Sequence, residues 1–133
     1  MREIRMPAGR YYLGDPCYSV PKDRWMEWLE AADYENNREV LIAELDGHKI
    51  LGLNTHHGDG VYEDQDGNIY GVDSGLIGLV PVEIAENRYG GRDGCGRIVE
   101  FSEMFKCHRS ETGVLKFGHI VINTDYEDGD EEF

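Results

Sequence analysis

Positive charge is scarce in this chain. Of its 133 residues 13 are Lys or Arg and 27 are Asp or Glu, giving a net charge of −14. So acidic a chain is repelled by nucleic-acid backbones and by anionic membranes, which disfavours direct binding to either. The last nine residues, Asp125 to Phe133, hold six acids and no base, yet the body without them still has 21 acids against 13 bases. The acidity therefore belongs to the domain as well as the tail. It is compatible with a basic protein partner, bound cations, mimicry of nucleic acid, or simple solubility.

Cysteine is also sparse, with Cys17, Cys95 and Cys107 widely spaced and no Cys-x-x-Cys. An odd count at such spacings argues for thiols in a reducing compartment over a secreted disulfide framework. Met1 to Gly9 contains two Arg and no apolar centre, so no secretory leader is read there and a cytoplasmic location is expected. No run approaches the ~18 apolar residues of a membrane-spanning helix. Motifs with a settled mechanism are missing too. The glycines form neither G-x-G-x-x-G nor a phosphate loop, Ser74 is not in G-x-S-x-G, and no His-x-His or HExxH occurs.

What is present suits a turn-rich β-domain. The 17 Gly point to many turns. A chain of this length buries roughly two-thirds of its unfolded surface, so it needs no disulfide or metal to fold. Arg10 to Leu13 reads as a strand broken by Gly14 and Pro16. Pro21 opens an amphipathic helix with Trp25, Trp28, Leu29 and Ala32 on one face, fraying after Asp33. Glu39–Leu45 and Lys49–Asn54 flank Asp46-Gly47, a hairpin with the expected turn chemistry. Val61-Tyr62 and Ile69–Val72 flank a second turn at Gln65–Asn68. Leu76–Ile84 is a strand that Pro81 confines to an edge or bulge. Asn87–Gly96 reads as a charged loop and Phe105–Gly113 as a polar connection with a possible helical turn. Arg97–Phe101, Leu115–Phe117 and His119–Asn123 complete the set. The expectation is an α+β, mainly antiparallel domain over residues 1–126: a curled sheet, barrel or small sandwich, of seven or eight strands with one packed helix. Residues 127–133 are expected to form a disordered acidic tail.

Chemistry-bearing residues gather in two places. One is Gly14-Asp15-Pro16-Cys17-Tyr18. The other runs from Thr55-His56-His57-Gly58-Asp59-Gly60-Val61-Tyr62 to Val72-Asp73-Ser74-Gly75. Asp15 before Pro can brace its turn by accepting following N–H groups, or serve as a ligand or base. Cys17 can pack as a small apolar side chain, or act as a nucleophile if a histidine lies near. Adjacent His56 and His57 point to opposite faces in an extended chain, so one metal rarely takes both. His57 with Asp59 is the leading metal pair, joined by Asp15 or Asp73. Asp64 to Asp73 superficially resembles a calcium loop, but Tyr62 stands where the first carboxylate belongs, so a plain hairpin is preferred.

These segments resemble an ordered set of motifs in small, mostly uncharacterised proteins of bacteriophages, prophages and some bacteria. The motifs are Asp-Pro-Cys-Tyr at 15–18, Gly-Asp-Gly-Val-Tyr at 58–62 and Val-Asp-Ser-Gly at 72–75. The resemblance spans about the N-terminal two-thirds. It implies a cytoplasmic, often virus-encoded protein and supplies no catalytic residues.

The first functional expectation is therefore an acidic cytoplasmic binding protein without a cofactor. It would be a phage factor sequestering or inhibiting a host component, either a basic protein or a small signalling molecule. Asp15, Tyr18, His57, Asp59, Asp73 and Ser74 would line its site. The alternative is a small metal- or Cys-assisted hydrolase using Cys17, His57 and Asp73, with a divalent ion at His57 and Asp59. A structural or assembly protein is a third possibility.

Overall fold

The computed structural model describes residues 3–86 and 96–125. The expected loop over 87–95, with Cys95, and the tail from Glu127 lie outside the described residues. The strands are β1 (Glu3–Met6), β2 (Gly9–Gly14), β3 (Val40–Leu45), β4 (His48–Asn54), β5 (Gly60–Glu63), β6 (Ile69–Val72), β7 (Leu76–Pro81), β8 (Arg97–Phe101), β9 (Phe105–Arg109), β10 (Val114–Phe117) and β11 (Ile120–Asn123). The α-helix, α1, spans Trp25–Ala31 and follows two single 3₁₀ turns, Pro16–Tyr18 and Lys22–Arg24.

Every strand pair is antiparallel. Three sheets result, ordered β3-β4-β7-β2-β8, β1-β9-β10-β11 and β5-β6, and none closes on itself. The domain is thus mainly antiparallel β with one packed helix, as the sequence suggested, but with eleven strands among the described residues. The extra strands include β1 and β9, which pair with each other from Glu3↔His108 to Met6↔Phe105. The segment expected as a polar connection is therefore a strand from Phe105 to Arg109. Its alternation of buried Phe105, Cys107 and Arg109 with outward Lys106 and His108 is a two-residue period carrying charged side chains.

The five-stranded sheet is covered on both faces. On one side Leu13, Leu51, Leu53, Ile77 and Leu79 join Phe117, Ile120 and Ile122 of the four-stranded sheet in a single core. On the other, Trp28, Ala32 and Val20 pack on Leu41, Ile50, Leu76 and Val80. Burying each large apolar side chain contributes about 1.5–3 kcal/mol. β7 is buried at all six positions and lies between β4 and β2. The edge position expected from Pro81 is therefore corrected. Pro81 is the last residue of the strand, opposite Tyr11 and beyond Leu79, where pairing with β4 ends; on the β2 side the next N–H, of Val82, still donates to the Arg10 carbonyl.

Glycine lets the helix approach. Gly14, Gly78 and Gly52 face one another across β2, β7 and β4. A Cβ on Gly52 would lie 3.1 Å from the Trp28 ring, and one on Gly78 would lie 2.9 Å from Gly52 Cα. Trp28 is thereby seated on bare backbone with no exposed surface. The helix stops at Asp33, whose φ of 55° is left-handed, and Tyr34 N–H closes it by donating to the Leu29 carbonyl. Asp46 (φ 53°) and Gly47 (φ 80°) make the two-residue turn between β3 and β4. No helix among the described residues is long and apolar enough to cross a membrane.

Candidate functional site

The two chemistry-bearing segments do meet, and Asp15 is where they join. Its side chain is fully buried. Oδ1 accepts from Cys17 N–H at 2.9 Å and from Ser74 Oγ at 2.6 Å. Oδ2 accepts from the backbone N–H of Asp73 and of Ser74, both at 2.7 Å. Four donors fill the lone-pair sites of a carboxylate, leaving Asp15 no free position for a base or metal ligand. Its role is to clamp the turn after β2 to the turn between β6 and β7. Tyr18 completes the clamp by donating to Asp73 Oδ2 at 2.6 Å. Burial first, and then this hydrogen bond, raise the Tyr18 hydroxyl far above its ordinary pKa, so it is a fixed donor.

The 55–58 loop is laced to the same turn. Thr55 N–H donates to the Gly75 carbonyl at 2.9 Å. The Gly58 carbonyl accepts from Thr55 Oγ1 and from Tyr62 Oη. His57 goes elsewhere. Its Nε2 sits 2.7 Å from the Asp125 carbonyl oxygen, and its ring packs edge-on against His56. It hydrogen-bonds neither Cys17 nor Asp73. Asp59 is exposed and makes no hydrogen bond or ion pair among the described residues. Among the described residues no cluster of three ligand side chains joins His57 to Asp59. Cys17 is half-buried, and Cys107 is fully buried with its thiol pushed up to about 12 by that burial.

A second buried carboxylate holds the β5–β6 hairpin. Asp64 accepts from the N–H groups of Asp66 and Asn68, and from Tyr70 Oη at 2.8 Å. Arg97 lies 3.4 Å away and donates to Tyr70 Oη at 3.0 Å. Burial works to raise the Asp64 carboxyl, but hydrogen bonds from Tyr70 and Asn68 outweigh it and hold it below the ordinary value. Tyr70 is pushed up to about 12, chiefly by burial. The hairpin preferred over a calcium loop is what forms, with the carboxylate turned inward.

Beside the Asp15 clamp opens a cleft of about 530 Å³. One wall is Trp25 and Leu29 of α1 with Tyr34 and Arg38 beyond it. The other is Leu41, Asn54 and Leu76 at the strand ends, and the floor is the laced turns, through Thr55, Gly58 and Ser74. The volume is within the usual range for small-molecule sites, as is the mostly apolar lining with a few polar groups. Asn54 Oδ1 is buried without a hydrogen-bond partner among the described residues. The buried Arg109 guanidinium donates to the Asn54 and Ser110 carbonyls, fixing the end of β4. Of the expected site residues only Ser74 lines this cleft; Asp15, Tyr18 and Asp73 build the turn behind it. Trp25 was legible as a helix-face residue, but Tyr34, Arg38 and Asn54 carry no sequence pattern that joins them.

Compared with known proteins, the chain matches no family model, no curated protein and no solved structure.

Proposed function

We propose that this chain is a small-molecule-binding protein whose ligand occupies the cleft between α1 and the strand ends. The observation that carries the reading is the cleft of about 530 Å³ walled by Trp25 and Tyr34, with Arg38 at its rim. The aromatic walls favour a flat ring, and Arg38 at the rim favours an anionic group. A nucleotide-like molecule carries both features. The motif resemblance to phage proteins supports a cytoplasmic setting, in which holding a signalling molecule would keep it from its host receptor. The hydrolase alternative is less favoured, because Asp15 is saturated and His57 is turned toward Asp125.

Trp25 and Trp28 are the two tryptophans of the chain, with ring centroids 5.5 Å apart, so intrinsic fluorescence reports on this cleft. Titration with linear and cyclic nucleotides should quench it saturably for one class. Arg38→Ala should weaken that binding about tenfold to a hundredfold, the loss of one charge-assisted contact. No binding across the panel below about 1 mM, or equal affinity in Trp25→Ala and Arg38→Ala, would sink the proposal.

A further inference from the structure

His56 and His57 form a group of their own with Asp125. The chain bends at 56–59 rather than running extended, so the two neighbours do not diverge to opposite faces as expected. Their rings lie edge to face with centroids 4.9 Å apart. Asp125, 68 residues beyond His57, arrives from the end of β11. Its Oδ1 is 3.9 Å from His56 Nε2 and its carbonyl oxygen is 2.7 Å from His57 Nε2. One ligand atom from each of the three residues lies within 4.8 Å of the others.

The backbone beneath this group is firmly held. His56 N–H donates to Thr124 Oγ1 at 2.9 Å, and the fully buried Thr124 donates that hydroxyl to the Gly113 carbonyl. Gly113 has a φ of +89°, and a Cβ there would lie 2.6 Å from His56 Cβ. The loop and the end of β11 therefore pack closely only because residue 113 has no side chain.

Two imidazoles and a carboxylate are the donor set of zinc-class ions, whereas Ca²⁺ and Mg²⁺ favour all-oxygen shells. Tetrahedral coordination with bonds of about 2.0–2.1 Å sets ligand atoms about 3.3 Å apart. Rotation of three exposed side chains can close the remaining gap. The chain's net negative charge favours a cation. We infer that His56, His57 and Asp125 form a binding site for a divalent transition metal of the zinc class, with a coordination position left for water. The ion would replace the proton that His57 Nε2 shares with the Asp125 carbonyl. It would also tie the end of β11 to the loop whose Thr55 and Gly58 line the cleft.

Calorimetric titration of the chelator-treated full chain with Zn²⁺ tests this, with Mg²⁺ and Ca²⁺ in excess as competitors. One equivalent should bind, unaffected by the competitors. His56→Ala, His57→Ala and Asp125→Asn should each weaken binding at least about tenfold. All three side chains are exposed, so the variants should remain folded. In histidine-ring NMR spectra, Zn²⁺ should shift His56 and His57 but not His48, His108 or His119. The inference is overturned if no saturable binding occurs below about 100 μM. It is equally overturned if His57→Ala keeps wild-type affinity, as it would were thiols or the acidic tail the ligands.

Discussion

Replacing Asp15 by Asn tests whether this residue is a structural clamp. The substitution preserves shape but leaves one acceptor oxygen and adds an NH₂ group. Two donors converge on each carboxylate oxygen: Cys17 N–H and Ser74 Oγ on Oδ1, and the N–H groups of Asp73 and Ser74 on Oδ2. With its NH₂ at the Oδ1 position the Ser74 hydroxyl can turn to accept from it, so the Cys17 N–H is the donor that loses its charge-assisted hydrogen bond. At about 1.5–3 kcal/mol for a hydrogen bond to a charged group, the expected cost is about 1.5–3 kcal/mol, a sizeable part of the roughly 5–15 kcal/mol that keeps a domain folded. With a urea m-value of about 2 kcal/mol/M, the midpoint should fall by about 0.7–1.5 M. Tryptophan fluorescence and far-UV circular dichroism can follow the transition. Ser74→Ala removes one hydroxyl donor and should cost about 1 kcal/mol. Because both changes act on Oδ1, the double variant should lose less than the sum of the singles. A midpoint shift under about 0.3 M for Asp15→Asn, with m unchanged, would refute the clamp and reopen Asp15 as a functional carboxylate.

Two further outcomes follow from packing and charge. Gly52→Ala places a methyl 3.1 Å from the Trp28 ring and should destabilise by about 1–3 kcal/mol, read as a lower urea midpoint; an unchanged midpoint would show that the helix is not seated on bare backbone. Asp64 has a folded pKa below its ordinary 3.8, so its charge stabilises the fold above that value, and the contribution is lost as pH falls through the folded pKa. The stability gap between wild type and Asp64→Asn should therefore hold near neutral pH and narrow only below about pH 4; urea midpoints across pH measure it, and a gap unchanged down to about pH 2 would contradict the assignment.

Local signals read reliably where the physics is local. Asp46-Gly47 specifies a two-residue turn because both positions need positive φ. Trp25, Trp28, Leu29 and Ala32 form one helix face because helical spacing brings them together. Asp64-Gln65-Asp66-Gly67-Asn68 specifies its hairpin through side-chain bonds within five residues. β1 and β9 were missed because each is short and interleaved with charge, and β1 forms only against a partner about a hundred residues away. Pro81 misled for a related reason: a proline shows where one N–H is missing, not whether its strand is central.

The sequence by itself determined the class of the domain, its acidity, its hairpins and its helix face, since these depend on composition and on neighbours a few residues apart. It also marked the segments around Asp15 and His57 as unusual. Only the tertiary structure decided what they do. Asp15 reaches the 73–74 turn across 58 residues and is satisfied there, while His57 meets Asp125 across 68. The cleft draws Trp25, Arg38, Asn54 and Ser74 from four separate segments. Such meetings are set by sheet order and register, which arise from long-range packing and leave no spacing in the sequence to read.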